Sequence, residues 1–193
     1  KFPSVNVNDY ISFCCLRKVD ELNGIMVTDQ VYVHSKLMIV DDRRVIIGSA
    51  NWNDRSMLGD RDSEIAVLVE DNRFVESKMN GQFFLASKFA HSLRKNLFLE
   101  HLGLPRSKRH EVQDPICSAV YNDMIRDYAS SNQHIFTSMF PLVPSDNFTS
   151  TTQFLEAEQM LTASLTPEVI AERFETAKRL RKQIRGHISL YPL

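Results

Sequence analysis

The stretch from residue 34 to residue 51 constrains this chain more than any other: His34-Ser35-Lys36-Leu37-Met38-Ile39-Val40-Asp41, then Gly48-Ser49-Ala50-Asn51. Residues 32–40 are rich in Val, Ile and Leu and alternate with period two, which reads as a strand. Successive strand side chains point to opposite faces. His34, Lys36 and Met38 therefore share one face, and Val33, Ser35, Leu37 and Ile39 the other. The imidazole and the ammonium are then one pleat repeat apart, roughly 7 Å at about 3.3 Å per residue. Asp41-Asp42-Arg43-Arg44 turns the chain into the short apolar run Val45-Ile46-Ile47, expected as a buried strand. Gly48 permits close backbone approach, and Ser49 and Asn51 offer short polar side chains after it.

These residue types suit work on an anionic ester. Lys36 supplies a fixed positive charge for a phosphate oxygen. His34 can attack phosphorus or protonate a leaving oxygen. Either role needs the second ring nitrogen held by a partner. Glu64 closes Arg61-Asp62-Ser63-Glu64 at the mouth of the apolar run 65–69, and it is preferred to Asp62 for that task. Phosphoryl transfer asks for positioning and charge stabilisation more than covalent help. Taken singly, a strand histidine, a lysine two residues on and an aspartate in a turn are ordinary structural residues. The joint pattern H-x-K-x4-D-x6-G-S-x-N is specific.

That pattern resembles the HKD motif of the phospholipase D superfamily. Residues 32–42 and 47–59, and Arg61-Asp62-Ser63-Glu64, are similar to the second motif of the animal-type, phosphatidylcholine-cleaving members. Tyr10-Ile11-Ser12-Phe13 and Glu21-Leu22-Asn23-Gly24 resemble the approach to it, and His101-Leu102-Gly103 and Asp114-Pro115 resemble the segments downstream of it. The resemblance implies an α/β fold, a mixed β-sheet flanked by helices, forming the second lobe of a two-lobed phospholipase D catalytic domain. Within it, residues 1–110 would be the HKD-bearing lobe and residues 111–193 a helical C-terminal extension.

It further implies hydrolysis of phosphatidylcholine to phosphatidic acid and choline through a phosphohistidine, with transfer to primary alcohols as a side reaction. His34, Lys36, Asp41 and Glu64 would be catalytic, with His34 as acid and base and Glu64 orienting it. Ser49 and Asn51 would bind the phosphate. No metal and no cofactor would be required, and phosphatidylinositol bisphosphate would act as activator. The implied partners are a phospholipid membrane surface, an N-terminal HKD lobe and small GTPases, with no nucleic acid. The implied location is cytoplasmic and peripheral on membranes.

One departure matters. His91, His101, His110, His134 and His187 all lack the H-x-K context, so the chain carries one HKD motif and not two. It reads as the C-terminal part of a longer enzyme, inactive alone. Pairing with a second copy, as in small nucleases of the superfamily, is the alternative. Trp52 and Asp60 also depart, where relatives often have an aliphatic and a basic residue. Two other functions stay open: a different HKD phosphodiesterase (nuclease or phosphatidyltransferase), or a non-catalytic lipid-binding module.

A net charge of −1, from 23 Lys and Arg against 24 Asp and Glu, argues against a basic nucleic-acid binder. No apolar run approaches the roughly 18 residues that span a bilayer. Cys14, Cys15 and Cys117 cannot all pair and have no metal-ligand spacing. Reduced thiols in a cytosolic compartment are the simplest reading, which leaves the Asn147-Phe148-Thr149 glycosylation triplet idle.

Elsewhere, residues 7–17 and 25–28 read as strands around an Asn23-Gly24 turn. Residues 71–101 read as one helix, with Leu85, Phe89, Leu93 and Leu97 at i+4 spacing. Residues 106–110 form a basic loop, residues 115–131 a second helix, and residues 136–154 an irregular stretch. Thr166 and Pro167 open a third helix. Its basic end, residues 178–185, suits either phosphoinositide contact or compensation of the helix dipole.

Overall fold

A computed structural model describes residues 5–191, the side chain of Asn8 excepted. In chain order its strands and helices begin with β1 (Cys14–Leu22), β2 (Ile25–Gln30), β3 (Lys36–Val40), β4 (Arg44–Gly48), α1 (Asp54–Met57) and β5 (Ala66–Glu70). They continue with β6 (Phe74–Met79), β7 (Gln82–Ser87), α2 (Lys88–His101), α3 (Ser118–Val120), a π-helical turn (Tyr121–Arg126), α4 (Asp127–Met139), α5 (Thr151–Ala163), α6 (Pro167–Arg181) and β8 (Ile188–Leu190). The expected mixture of strands and helices is present. One mixed sheet is not: the described strands form three small sheets, β2-β1-β8, β3-β4-β5 and β6-β7, and every pairing is antiparallel. Turns of two or three residues link β1 to β2, β3 to β4 and β6 to β7, and such links can only join antiparallel neighbours.

The chain divides into two compact units, one of residues 32–121 and one of the described residues before 32 and after 121. These bounds differ from the expected division at residue 110. The cause is β1, which pairs with β2 on one side and with the C-terminal strand β8 on the other.

In the unit of residues 32–121, β3 and β4 pair from Lys36↔Gly48 to Val40↔Arg44, and β4 and β5 from Arg44↔Glu70 to Gly48↔Ala66. Gly48 is fixed by β5. A Cβ there would lie 2.5 Å from the Ile65 carbonyl oxygen and 2.7 Å from the Ala66 Cβ. At the other end Asp41 and Asp42 both take φ of 51°, and Arg43 N–H donates to the Val40 carbonyl at 2.9 Å.

Asp42 goes inside. Its carboxylate lies 2.8 Å from His91 Nδ1 and accepts a two-pronged bond from Arg94, Nε at 3.0 Å and an η nitrogen at 2.6 Å. Arg94 also donates to the Val112 and Gln113 carbonyls, and Lys95 donates to the Gln113 side chain. Asp42, His91, Arg94 and Lys95 are all buried, yet among the described residues no buried side-chain polar atom lacks a hydrogen bond. Burial alone would push the Asp42 carboxyl up. The hydrogen bonds and charges of His91 and Arg94 outweigh it and hold the group below its ordinary range.

The expected helix over residues 71–101 starts only at Lys88. Residues before it form the β6–β7 hairpin, turned by Asn80 and Gly81 at φ of 50° and 77°, the signature of a two-residue hairpin loop. Asp114 fastens that turn: its carboxylate accepts the backbone N–H groups of Asn80 at 2.9 Å and Gly81 at 2.6 Å, and those of Ile116 and Cys117.

The other unit packs α4 and α6 with β1 and β2 around Val19, Met26, Phe136 and Ala177. Asn132 on α4 is fully buried and bonds the Arg185 and Ile188 carbonyls. Three expectations shift here. The first strand begins at Cys14, not at residue 7, where a 3-10 turn (Val7–Asp9) lies. Helix α4 runs to Met139, so the irregular stretch starts later. Helix α5 opens at Thr151, with the Ser150 hydroxyl accepting from Gln153 N–H. Thr166 caps α6 as expected, accepting from Val169 N–H at 3.3 Å, with Pro167 in the first turn. The three cysteines are free. No helix among the described residues is long and apolar enough to cross a membrane.

Candidate active site

The open end of the β3–β4 hairpin borders a cavity of about 930 Å³. His34, Lys36, Ser49, Asn51 and Glu64 all line it, together with Arg61, Asp62 and two leucines of α2, Leu93 and Leu97. Five of the six residues singled out in the sequence thus meet at one place. The sixth does not. Asp41 follows the far end of β3, five residues from Lys36, which is roughly 16 Å along a strand. It is exposed in a left-handed turn and does not line the cavity. Its expected catalytic role is corrected to a turn role, and the inward carboxylate is its neighbour Asp42.

His34 precedes the strand it was expected to sit on, because β3 pairing begins at Lys36↔Gly48. Its exposed ring stacks on Tyr32 at 6.1 Å between centroids and 17° between planes. The Lys36 ammonium donates to the His34 carbonyl at 2.6 Å. That bond ties the segment ahead of the strand to the strand itself.

Glu64 is held from two sides. One carboxylate oxygen accepts the Ser49 hydroxyl, and the other accepts the Ser56 hydroxyl at 2.6 Å. The expected bond from the His34 ring to Glu64 is not made; the two serines hold the carboxylate instead. These two hydroxyls, with the Lys36 charge adding to them, keep the Glu64 carboxyl below its usual range. Helix α1 delivers Ser56. Asn53 caps it, its side chain accepting from Ser56 N–H at 3.1 Å. Arg55 on the same turn grips Asp62 with two bonds, at 3.0 and 3.1 Å.

Sequence reasoning missed Ser56 and the Asp42–His91–Arg94 cluster. The signal for Ser56 was the Asn53-x-x-Ser56 spacing, an N-cap three residues ahead of its partner. The cluster left none, because its members lie 49 and 52 residues apart.

An imidazole, an ammonium, short polar side chains and a clamped carboxylate around one open cavity define a site able to bind and attack a phosphate ester. Comparison with known proteins agrees with that class. The family profile for phospholipase D matches residues 17–146. Phospholipase D zeta 2 of Arabidopsis thaliana is 41% identical over 196 residues, covering 96% of this chain and 19% of that protein. Phospholipase D2 of Bos taurus is 40% identical over 188 residues, covering 96% and 19%. Phospholipase D1 of Homo sapiens is 40% identical over 184 residues, covering 95% and 17%. The chain belongs to the phospholipase D family. It spans about a fifth of the length of these relatives.

Proposed function

We propose that this chain carries one half-site of a phospholipase D that hydrolyses phosphatidylcholine to phosphatidic acid and choline. The observation that carries the reading is the convergence of His34, Lys36, Ser49, Asn51 and Glu64 on one open cavity. A histidine from the second half-site attacks phosphorus, forming a P–N bond as the P–O bond to choline breaks. His34 gives a proton to the departing choline oxygen. His34 then takes a proton from water, the new hydroxide attacks phosphorus, and the P–N bond breaks to release phosphatidic acid. A primary alcohol in place of water gives a phosphatidyl-alcohol. Lys36 balances charge on a non-bridging oxygen, and the Asn51 amide can donate to another. Glu64 turns the His34 ring once substrate fills the cavity.

The remaining features are carried over only as what the resemblance implies: a phospholipid surface as partner, a cytoplasmic and peripheral location, phosphatidylinositol bisphosphate as activator and small GTPases as regulators. The basic segment of residues 178–185 is partly committed within its own unit. Arg181 pairs with Asp20 at 2.9 Å, and Arg185 lies 3.9 Å over the Tyr128 ring.

The test measures phosphatidylethanol formed from phosphatidylcholine and ethanol. The full-length enzyme carrying this segment should form it, and His34→Asn and Lys36→Arg should each abolish it. The 193-residue chain alone should form none. Near-normal turnover by either variant, clear activity from a monomer of this chain, or turnover of DNA in place of choline lipid would overturn the reading.

A further inference from the structure

We infer that Ser56, acting with Ser49, is a positioning residue that fixes Glu64 as a two-sided acceptor at the cavity wall. The inference rests on the reading of this cavity as a phospholipase half-site and adds a residue to it. It comes from the direction of the hydrogen bonds. A hydroxyl has one proton to give and lone pairs to accept with. The Ser56 oxygen accepts the backbone N–H of Asn51 at 3.0 Å, so its proton is free for the Glu64 oxygen 2.6 Å away. The Ser49 oxygen likewise accepts the backbone N–H of Ile65 at 3.0 Å and gives its proton to the other Glu64 oxygen. The Ile65 carbonyl, 3.4 Å from the Ser49 hydroxyl, competes poorly, because that distance is long for an O–H donor and the Glu64 oxygen is much closer.

Glu64 therefore receives a donor on each oxygen and keeps lone pairs for one more, which suits a histidine ring N–H. Ser49 has spent its proton on Glu64, so its part in phosphate binding is indirect. Ser56 also joins the two backbone segments of the site. It takes Asn51 N–H on one side, and its own N–H is anchored by the Asn53 cap on the other. The Ser56 hydroxyl thus links the position of Asn51 to the carboxylate of Glu64, which Ser49 holds from the other side.

The experiment has two arms. In the 193-residue chain with 13C-labelled glutamate, the Glu64 carboxyl is titrated by NMR, its signal assigned through Glu64→Gln. Ser56→Ala should raise the Glu64 titration toward that of a free glutamate, and Ser56→Thr should restore the low value. In the full-length enzyme, Ser56→Ala should lower kcat about tenfold, the scale of one hydrogen bond, and leave KM unchanged. Its acidic limb should move to higher pH, because activity is lost as Glu64 takes up its proton. A Ser56→Ala chain whose Glu64 titrates as in the wild type overturns the inference, even if its melting temperature falls. An unaltered pH profile with full turnover also overturns it. If the wild-type enzyme shows no lipid turnover, the proposed function fails while the titration still decides the clamp.

Discussion

The two ends of the β3–β4 hairpin treat their histidines in opposite ways. Beyond the open end His34 stands exposed, its ring against Tyr32, and the Glu64 expected to hold it is taken up by serines. At the turn end Asp42 holds His91 and Arg94 out of water, in a cluster where no buried side-chain polar atom lacks a hydrogen bond. A group that must meet substrate and exchange protons cannot be sealed in, whereas a buried charge is tolerated only when fully paired. On the proposed function, the hairpin joins a reactive end to an anchored one. The anchored end ties the turn to α2, and α2 supplies Leu93 and Leu97 to the cavity. Stability and chemistry should separate along this hairpin, and mutations can test that separation.

The largest effect is expected at the anchor. Asp42→Asn keeps the shape but leaves Arg94 buried without its counter-charge. Removing one partner of such a pair costs about 3–5 kcal/mol, read as a fall in the urea midpoint of the unit of residues 32–121. A fall below about 1 kcal/mol, the scale of a surface ion pair, would erase the contrast between the two ends. Next comes Gly48→Ala, where the new methyl meets the Ile65 carbonyl oxygen at 2.5 Å and the Ala66 backbone of β5 at 2.8 Å. Overpacking of this kind costs about 1–3 kcal/mol. Because Gly48 pairs opposite Lys36, the same change should also lower activity in the full-length enzyme. A variant with wild-type melting temperature would show that β5 can move away freely.

How much of this was legible in the sequence depends on whether neighbours along the chain or across space set the structure. The β3 and β4 strands were readable because their period-two pattern is local and a glycine marks the close approach. Lys36, Ser49 and Asn51, which that pattern groups, line one cavity. Asp41 and Asp42 could not be told apart, since their facing depends on two consecutive left-handed residues in the turn. The β6–β7 hairpin was hidden by a coincidence of spacing. Leu85 sits in β7, but it lies four residues before Phe89 and extends the α2 stripe backwards across the Ser87–Lys88 junction. The Asn80-Gly81 turn was the contrary signal. Helix α5 has no fully buried residue, and its half-buried Phe154, Ala157 and Leu161 make only a thin stripe.

Acid should sharpen the comparison. Asp42 and Asp114 both sit below the ordinary carboxylate value near 3.8. For Asp114, burial pushes the group up, but four backbone N–H donors outweigh it. A lowered native value means that the unfolded chain binds protons first as the pH falls. The stabilisation is whole above the ordinary range and drains as the pH drops below about 4 through the native values. The unfolding midpoint should therefore be level near neutrality and fall steeply in that window. Asp42→Asn should flatten the fall. An equally steep fall in that variant would mean that other carboxylates govern acid unfolding.

The smallest expected effect is on stability at the reactive end. His34 is exposed, precedes the strand and contributes only a ring stack and a backbone carbonyl to its surroundings. Replacing it by Asn keeps the carbonyl that Lys36 grips and removes no buried contact. Substitutions of this kind stay within about 0.5 kcal/mol. His34→Asn should thus melt with the wild type while abolishing turnover in the full-length enzyme, and His91→Asn should do the reverse, losing stability first. Should His34→Asn destabilise the fold as much as His91→Asn, the exposed histidine would be a structural residue after all, and the two ends of the hairpin would differ only in solvent exposure.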